Sequence, residues 1–423
     1  MQYHIHTLKN GLRIILVPMA ESRTATAIVM TGTGSRYENV HENGLAHFLE
    51  HMFFKGTAKR PTAQIISEEL DSIGSVYNAY TSKDRTAYYA KVSAGYLDTA
   101  LDVISDIFLN SSLPTKEITK ERGAIIQEID MYEDMPMHTI DNVFDALIFG
   151  TEHPLGRTIL GPKENIRSFS RKEFAAYLKR NYTPLNTVVC VAGSFNEKKV
   201  LRMLKKSFGA LAHGNPPDFV RFSTTQDAPR VAIKEKKTDQ TQLMLGVPSY
   251  PYMHKDEYAL AVLTTILGGG MSSRLFAEVR EKRGLAYSVH ASVEKYPDTG
   301  YFVVSAGVEH GKLDKTIRTV LDEFKKIKKS PVSSAELKKA KSYMKGTLAL
   351  SMETSDRIAQ VSATAMLELG KVRPLEEVIK GIDAVTPGDI QRVANDLLRT
   401  ELLNLAIIGP HLSQEKLKKL LKI

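Results

Sequence analysis

His47, Glu50 and His51 form a motif whose residue types and spacing suit catalysis with a metal ion. Residues four apart on a helix lie on one face, so both imidazoles can bind a single zinc ion, and the glutamate falls on that face too. The pattern His-x-x-Glu-His is the inverted form of a better-known zinc protease motif. A tetrahedral catalytic zinc needs a third protein ligand and leaves its fourth position to water. The motif therefore predicts part of a zinc centre and requires another ligand elsewhere in the chain.

The residues around this motif predict a short helix. Asn43 can cap its start, and Gly56 offers a natural stop. An apolar stripe runs beside the polar residues of the motif and consists of Leu45, Leu49, Met52 and Phe53.

Two glutamates in a second predicted helix are the candidates for the third ligand. Isoleucines recur at helical spacing after Pro114, which is typical of an amphipathic helix that follows a proline. Glu121 and Glu128 are seven residues apart, about two turns, so they share a face from which either could reach the ion. The alternative is that these acidic residues only face solvent, and spacing alone does not choose between the two.

Taken together, these motifs resemble those of the pitrilysin-type zinc peptidases that carry the inverted motif, a family that includes the mitochondrial processing peptidase. The resemblance covers essentially the whole chain and rests on residues 34–38, 44–52, 55–57 and 78–83 and on Glu121 and Glu128. It implies that Glu128 is the third ligand, that one Zn²⁺ is bound per chain, and that Glu121 supports the ligands from outside the metal's coordination sphere.

Glu50 is the predicted general base. A zinc ion lowers the pKa of its bound water to near 7 and polarises a peptide carbonyl. Glu50 is placed to take a proton from that water and later to pass one to the leaving amine, which contributes about 10²–10⁴-fold to the rate. These residues predict a zinc-dependent endopeptidase that works without an acyl-enzyme. The alternative is a non-catalytic peptide-binding or assembly subunit of the same fold, but the complete set of His47, Glu50, His51 and Glu128 favours the enzyme.

Similar sequence features recur in the two halves of the chain at a nearly constant separation. Pro114 and Pro331 are 217 positions apart, and Gly193 and Gly409, each at the end of an apolar stretch, are 216 apart. A near-constant offset predicts one fold of about 210 residues that occurs twice.

We therefore expect a zinc-binding catalytic domain over residues 1–213, a joint at 214–217, and a homologous domain without metal over 218–423 that contributes to substrate binding. Shifted by this offset, the zinc motif falls on residues 264–268 and Glu128 falls on Lys345, so every candidate ligand is lost in the second half.

Apolar strands such as residues 13–17 and 27–30 alternate with long helical patterns in each half. This predicts an α+β fold in which each domain packs a mixed, mostly antiparallel sheet against helices. The resemblance implies the same sandwich and a short two-domain form, similar to a mitochondrial processing peptidase subunit. Full-length relatives carry four such domains, so this chain corresponds to half of a clamshell. A homodimer would complete a closed chamber that admits unfolded peptides.

Arg280 and Tyr287 follow a glycine-rich segment, residues 268–270. No Gly-Lys-Ser/Thr follows it, which argues against a nucleotide-binding loop. From the residues alone, the segment is a turn before a helix capped by Ser272 or Ser273, with a solvated arginine and a packed tyrosine. The resemblance implies instead that Arg280 and Tyr287 contact the substrate and stabilise its reacting carbonyl, in a site completed by the partner's second domain.

Residues 76–80 and 86–89 predict two strands joined by a turn. Asn78, Ala79 and Tyr80 are the candidate substrate-binding residues, because an exposed strand edge accepts an extended peptide by strand addition. The alternative is an ordinary hairpin buried in the sheet.

Charge and composition argue against other classes of function. The chain has 57 basic and 48 acidic residues, but they form no basic patch with interleaved aromatic residues, so we predict no nucleic-acid partner. There is neither an apolar run of eighteen residues nor a signal or transit peptide at the start, so we predict no stable membrane insertion and cytoplasmic residence. Cys190 is the only cysteine, which excludes an intramolecular disulfide and predicts a buried, inert thiol.

Overall fold

The computed structural model of the chain describes residues 2–223, 225–410 and 413–423. These residues form two β-sheets and a larger number of helices, which confirms the predicted α+β class. Within the described residues, no helix is both long enough and apolar enough to cross a membrane.

The first sheet is built from strands of the first half of the chain. Its strands are β1 (His4–Thr7), β2 (Arg13–Pro18), β3 (Thr24–Thr31), β4 (Val76–Thr81), β5 (Thr86–Ser93) and β6 (Thr187–Gly193). They lie in the order β1-β2-β6-β3-β5-β4, with β2 and β6 parallel and the other neighbours antiparallel. The strands predicted at residues 13–17 and 27–30 are confirmed as parts of β2 and β3.

The second sheet repeats this arrangement. Its strands are β7 (Arg230–Glu235), β8 (Thr241–Ser249), β9 (Ala286–Lys295), β10 (Gly300–Val308) and β11 (Asn404–Gly409). The order β7-β11-β8-β10-β9 matches that of β2 to β6, and its parallel pair, β7 with β11, matches β2 with β6. Strands β2 and β7 begin 217 positions apart, as do β6 and β11, so the predicted duplication of one fold is confirmed.

Helices connect the strands in both halves. Those of the first half are α1 (Leu45–Phe53), α2 (Ala63–Asp71), α3 (Leu97–Asn110), α4 (Thr115–Asp134), α5 (Pro136–Phe149), α6 (Lys163–Ser168), α7 (Arg171–Asn181) and α8 (Glu197–Phe208). Those of the second half are α9 (Glu257–Gly268), α10 (Leu313–Lys329), α11 (Ser334–Ser351), α12 (Ser355–Leu369), α13 (Leu375–Ala384), α14 (Pro387–Leu397) and α15 (Gln414–Leu420). Helix α4 is the amphipathic helix predicted after Pro114.

The described chain divides into two compact units that are not contiguous in sequence. One consists of Met1–Ile129, Thr158–Val220 and Ala349–Leu375, and the other of Asp130–Arg157, Arg221–Leu348 and Glu376–Ile423. The break between Val220 and Arg221 falls close to the joint expected at residues 214–217. Beyond that break, each unit contains a helix from the other half of the sequence: α12 belongs to the first unit and α5 to the second.

The units exchange helices because both faces of each sheet are apolar and each face needs helices to cover it. Every residue of β6 is buried, as expected of a strand covered on both sides. One face of the first sheet packs on helices of its own half, whereas the other face buries Cys190 beside α12 residues such as Ile358 and Met366. In the second unit, α5 residues such as Phe144 pack on Met244 and Val303 in the same way.

Candidate active site

Helix α1, which carries the zinc motif, begins after Gly44, whose φ of 102° lies in the left-handed region. The prediction that Asn43 caps this helix is wrong, because its side-chain amide donates to the carboxylate of Glu38 at 3.1 Å. Glu38 is the capping group instead: its two oxygens accept hydrogen bonds from the backbone N–H groups of Gly44 and Ala46, at 2.9 and 2.6 Å.

The fold brings His47, His51 and Glu128 together. The Nε2 atoms of both histidines lie 3.6 Å from the same carboxylate oxygen, Oε2 of Glu128. One ligand atom of each residue lies within 4.8 Å of the other two. Donors on a tetrahedral zinc ion stand about 3.3 Å apart when the bonds are 2.0–2.1 Å long. Two nitrogens and one oxygen at this spacing therefore fit a zinc ion.

Glu121, the other candidate ligand, faces the opposite nitrogen of His51. Its Oε1 lies 2.9 Å from Nδ1 of His51, and its Oε2 lies 2.7 Å from Nζ of Lys55. Burial alone would raise the pKa of Glu121, but the hydrogen bonds from His51 and Lys55 outweigh it and hold the pKa at about 2. An ionised Glu121 favours a proton on Nδ1 of His51 and leaves Nε2 free to bind a metal.

The two histidines differ in their surroundings. Burial and the neighbouring His51 lower the pKa of His47 to about 3, so its ring is neutral at ordinary pH. Burial also acts to lower the pKa of His51, but the hydrogen bond to Glu121 and the charges of Glu50 and Glu128 raise it above its usual value. At pH values below the pKa of His51, a metal must therefore displace a proton from this ring, but not from that of His47.

Glu50 lies beside the three candidate ligands. Its Oε2 accepts a hydrogen bond of 2.6 Å from the hydroxyl of Thr81, which ends strand β4. Burial raises the pKa of Glu50, and the bond from Thr81 and the charge of His51 oppose the rise only in part. A carboxyl group whose pKa is raised towards neutrality is suited to accept a proton and to return it.

Strand β4, which contains Asn78, Ala79 and Tyr80, lies at an edge of the first sheet. The side-chain oxygen of Asn78 accepts a hydrogen bond of 2.9 Å from the backbone N–H of Ala79. That N–H group is therefore not directed at the neighbouring strand β5. The edge position agrees with the predicted exposed edge and not with a hairpin buried within the sheet.

Arg280 and Tyr287 lie side by side in the second unit. Arg280 belongs to a π-helical turn, Phe276–Glu281, which is an uncommon conformation often found at functional sites. Its guanidinium carbon lies 4.8 Å from the ring centre of Phe276 and 4.9 Å from that of Tyr287. Tyr287 is 77 % exposed, so the expectation of a tyrosine packed on the sheet is wrong. The hydroxyl of Ser273, one of the two expected caps, has no hydrogen-bond partner among the described residues.

Sequence reasoning missed Glu38, Lys55 and Thr81 as members of the site. Thr81 and Glu50 are 31 positions apart, and no local pattern marks a contact of that kind. The thiol of Cys190 is buried as predicted, and burial raises its pKa.

Comparison with known proteins agrees with this geometry. Residues 13–163 match the family model described as Insulinase (Peptidase family M16), and residues 168–344 match the model described as Peptidase M16 inactive domain. The second description agrees with the loss of candidate ligands in the second half of the chain.

Similar proteins span nearly the whole chain. The uncharacterized zinc protease YmxG of Bacillus subtilis is 37 % identical over 408 residues, which cover 96 % of this chain and 98 % of that protein. An uncharacterized zinc protease of Mycobacterium leprae is 33 % identical over 420 residues, which cover 99 % and 94 %. The names of these relatives support zinc as the metal.

Solved structures share the fold. The crystal structure of a protease from Helicobacter pylori has a TM-score of 0.90 at 27 % identity and covers 97 % of this chain and 99 % of its own. A structure named peptidase M16 inactive domain, from Pseudomonas fluorescens, has a TM-score of 0.89 at 19 % identity, covers 98 % and 100 %, and supports the fold alone. The chain therefore belongs to peptidase family M16, the pitrilysin-type zinc peptidases, in the short two-domain form.

Proposed function

We propose that this chain is a zinc-dependent endopeptidase that hydrolyses unfolded peptides, with one Zn²⁺ per chain held by His47, His51 and Glu128. The observation that carries the proposal is the convergence of two Nε2 atoms on one oxygen of Glu128, at 3.6 Å each, beside the carboxyl group of Glu50. A chain that only binds peptides has no chemical need for both features.

Zinc, when bound, polarises the scissile carbonyl and lowers the pKa of a water molecule at its open position. Glu50 accepts the proton of the attacking water at its Oε1, because its Oε2 is held by Thr81. The same carboxyl group then donates a proton to the nitrogen of the leaving amine. Glu121 keeps the ring of His51 oriented throughout.

The first test is Glu50→Gln, assayed on an internally quenched peptide at equal zinc content. Loss of the general base should reduce kcat by about 10²–10⁴-fold while the zinc content stays the same. If neither protein cleaves any of a varied set of peptides although both bind zinc, the alternative of a peptide-binding or assembly subunit replaces the enzyme. If both cleave equally, Glu50 is not the base.

We propose that Arg280 and Tyr287 stabilise the negative charge on the reacting carbonyl. We also propose that they act on the zinc site of a partner chain, in a homodimer that forms a closed chamber. The stacking of Arg280 on Tyr287 supports the first part, since it holds a cation and an exposed phenol together. Arg280→Ala should lower kcat by about 10²–10³-fold.

Mixing two inactive variants tests the homodimer. In a mixture of Glu50→Gln and Arg280→Ala chains, half of the dimers are mixed, and each mixed dimer has one intact site if the sites are completed by the partner. The activity should therefore recover to about one quarter of that of the unsubstituted protein. A mixture no more active than its components would mean that Arg280 does not act across a dimer.

Asn78, Ala79 and Tyr80 are proposed to bind the substrate by strand addition along β4, which its edge position supports. Cytoplasmic residence stays a prediction from the sequence, to be tested by cell fractionation.

A further inference from the structure

We infer that Glu38 is a positioning residue for the metal centre: its carboxylate fixes the start of helix α1, and its loop fixes the hairpin that holds Glu50. This inference rests on the proposed function, because it concerns the same site. Glu38 is not one of the candidate ligands, and it acts through the backbone N–H groups of Gly44 and Ala46.

The first step is the burial of a carboxylate at a helix start. Glu38 is 2 % exposed, and its Oε1 and Oε2 accept from the backbone N–H groups of Ala46 and Gly44 at 2.6 and 2.9 Å. The first N–H groups of any helix lack partners within the helix, and Gly44, the residue at the cap position, has no side chain to supply one. A negative charge at this end is also favoured by the helix dipole.

The second step leads from this cap to His47. Ala46, whose N–H group is held by Glu38, directly precedes His47. Helix α1 has only nine residues, and helices this short depend on tertiary contacts for their stability. Loss of the cap would free the first turn, and His47 belongs to that turn. Its Nε2 would then no longer be fixed 3.6 Å from Glu128.

The third step leads from the same loop to Glu50. The backbone N–H groups of Ser35 and Arg36 donate to the carbonyls of Ser82 and Lys83, at 3.2 and 2.7 Å. The approach is close, because a Cβ atom added to Gly34 would lie 2.1 Å from the carbonyl oxygen of Ser82.

Ser82 follows Thr81, whose hydroxyl holds the carboxylate of Glu50. The loop of residues 34–38 therefore contacts both helix α1, which carries two of the three candidate ligands, and the hairpin that orients the general base.

The test compares Glu38→Gln with Glu42→Gln. Glutamine has the shape of glutamate, but its amide nitrogen would face an N–H donor at the start of α1. Glu42 lies between Glu38 and α1, and its carboxylate pairs with Arg180 at the surface, so Glu42→Gln repeats the chemical change without altering the acceptor of the Gly44 and Ala46 N–H groups. Burial raises the pKa of Glu38 to about 7, against the opposing hydrogen bonds from Ala46 and Gly44, so the comparison is made at about pH 8, where the carboxylate is ionised.

Three experiments are carried out on each protein. They give the zinc affinity by competition with a chelator, the visible spectrum of the Co²⁺-loaded protein, and kcat and KM on a quenched peptide. Glu38→Gln should bind zinc about 10–100-fold more weakly, show an altered Co²⁺ spectrum, and lose about tenfold or more in kcat, with KM within about twofold. Glu42→Gln should match the unsubstituted protein within about twofold.

A folded Glu38→Gln protein with unchanged zinc affinity, Co²⁺ spectrum and kcat would overturn the inference. If that variant does not fold, Glu38→Asp decides, because its shorter side chain reaches only one of the two N–H groups: reduced zinc affinity supports the inference, and unchanged affinity overturns it. Zinc affinity and the Co²⁺ spectrum do not require cleavage. An unsubstituted protein that binds zinc without cleaving would therefore contradict the proposed function and leave this inference to be judged on metal binding.

Discussion

Helices α1 and α9 occupy equivalent places in the two repeats, yet only α1 carries candidate metal ligands. In the second repeat the positions of His47 and His51 are taken by Thr264 and Gly268. The hydroxyl of Thr264 donates to the carbonyl of Leu260 in its own helix. A Cβ atom at Gly268 would lie 2.4 Å from the backbone nitrogen of Ala291 in β9. A histidine side chain at position 268 would therefore clash with β9.

This difference shows that the second repeat has lost the space for a metal as well as the ligands. Its helix packs directly against β9, the strand that is equivalent to β4, whereas in the first repeat Glu50 accepts a hydrogen bond from Thr81 at the end of β4. Restoring the ligand residue types alone would therefore not rebuild a zinc site. The same sheet order is compatible with a candidate metal centre in one repeat and with close packing in the other.

The largest effect is expected at Glu128, the proposed third ligand, for which the second repeat has no counterpart. Glu128→Gln should abolish zinc binding at stoichiometric zinc and lower kcat/KM by at least about a thousandfold, because a neutral amide is a poor zinc ligand. The matched variant is Lys345→Gln, which removes an ion pair with Asp383 in the second repeat. It should change kcat/KM by less than about twofold. Equal losses in the two variants, measured with zinc content, would contradict the assignment of Glu128.

A smaller effect is expected at Glu121, which contacts the candidate ligand His51 but is not itself a candidate ligand in the proposed site. Glu121→Gln removes the charge that orients the ring of His51 and should weaken zinc binding by about 10–100-fold. The equivalent residue in the second repeat, Lys338, is exposed, and Lys338→Gln serves as the control. Zinc affinities of the two variants, measured by chelator competition, should differ. If Glu121→Gln keeps the affinity of the control, Glu121 has no part in the metal site.

The pH dependence of the zinc affinity should reflect the protonation of one histidine, His51, and not that of His47. The pKa of His51 is raised above its usual 6.5, whereas that of His47 is lowered to about 3. As the pH falls below the raised pKa of His51, one proton competes with zinc at that ring, and the affinity should drop about tenfold per pH unit. Above the raised pKa of His51 the affinity should level off. A slope of two protons would show that His47 also titrates in this range.

The smallest effect concerns the edge strand β4. Ala79→Pro removes an N–H group that is bonded to the side chain of Asn78 and not to β5, so the sheet should tolerate it. If substrates add to this edge, KM should rise by about two- to tenfold, the value of one hydrogen bond. Ala79→Ser, which keeps the N–H group, should leave KM unchanged. A KM that is the same in both variants would argue against strand addition at this residue.

The sequence predicted the parts of the site that rest on local periodicity. Each local pattern predicts one element. The spacing of His47 and His51 predicts α1, the isoleucines predict α4, and the alternating residues predict β4. The resemblance to a known family was needed to choose Glu128 over Glu121. Thr81 as the partner of Glu50 could not be predicted, because 31 positions separate them. Glu38 as the cap of α1 could not be predicted either, because it reaches Gly44 and Ala46 across a loop and does not stand at the cap position itself.

The exchange of α5 and α12 could not be predicted either. Periodicity shows that a helix has an apolar face but does not say which sheet receives it.

That exchange has a consequence for synthesis of the chain on the ribosome. The last strand of the first sheet, β6, ends at Gly193, but the helix that covers one face of this sheet, α12, ends only at Leu369. The 176 positions between them take roughly 9 to 35 s to translate at about 5–20 residues per second. During that interval the residues of β2, β3 and β6 that later contact α12 are without their cover. The nascent chain therefore presents an apolar sheet face to which chaperones can bind. The half that holds the candidate ligands completes its folding only after most of the other half has been made.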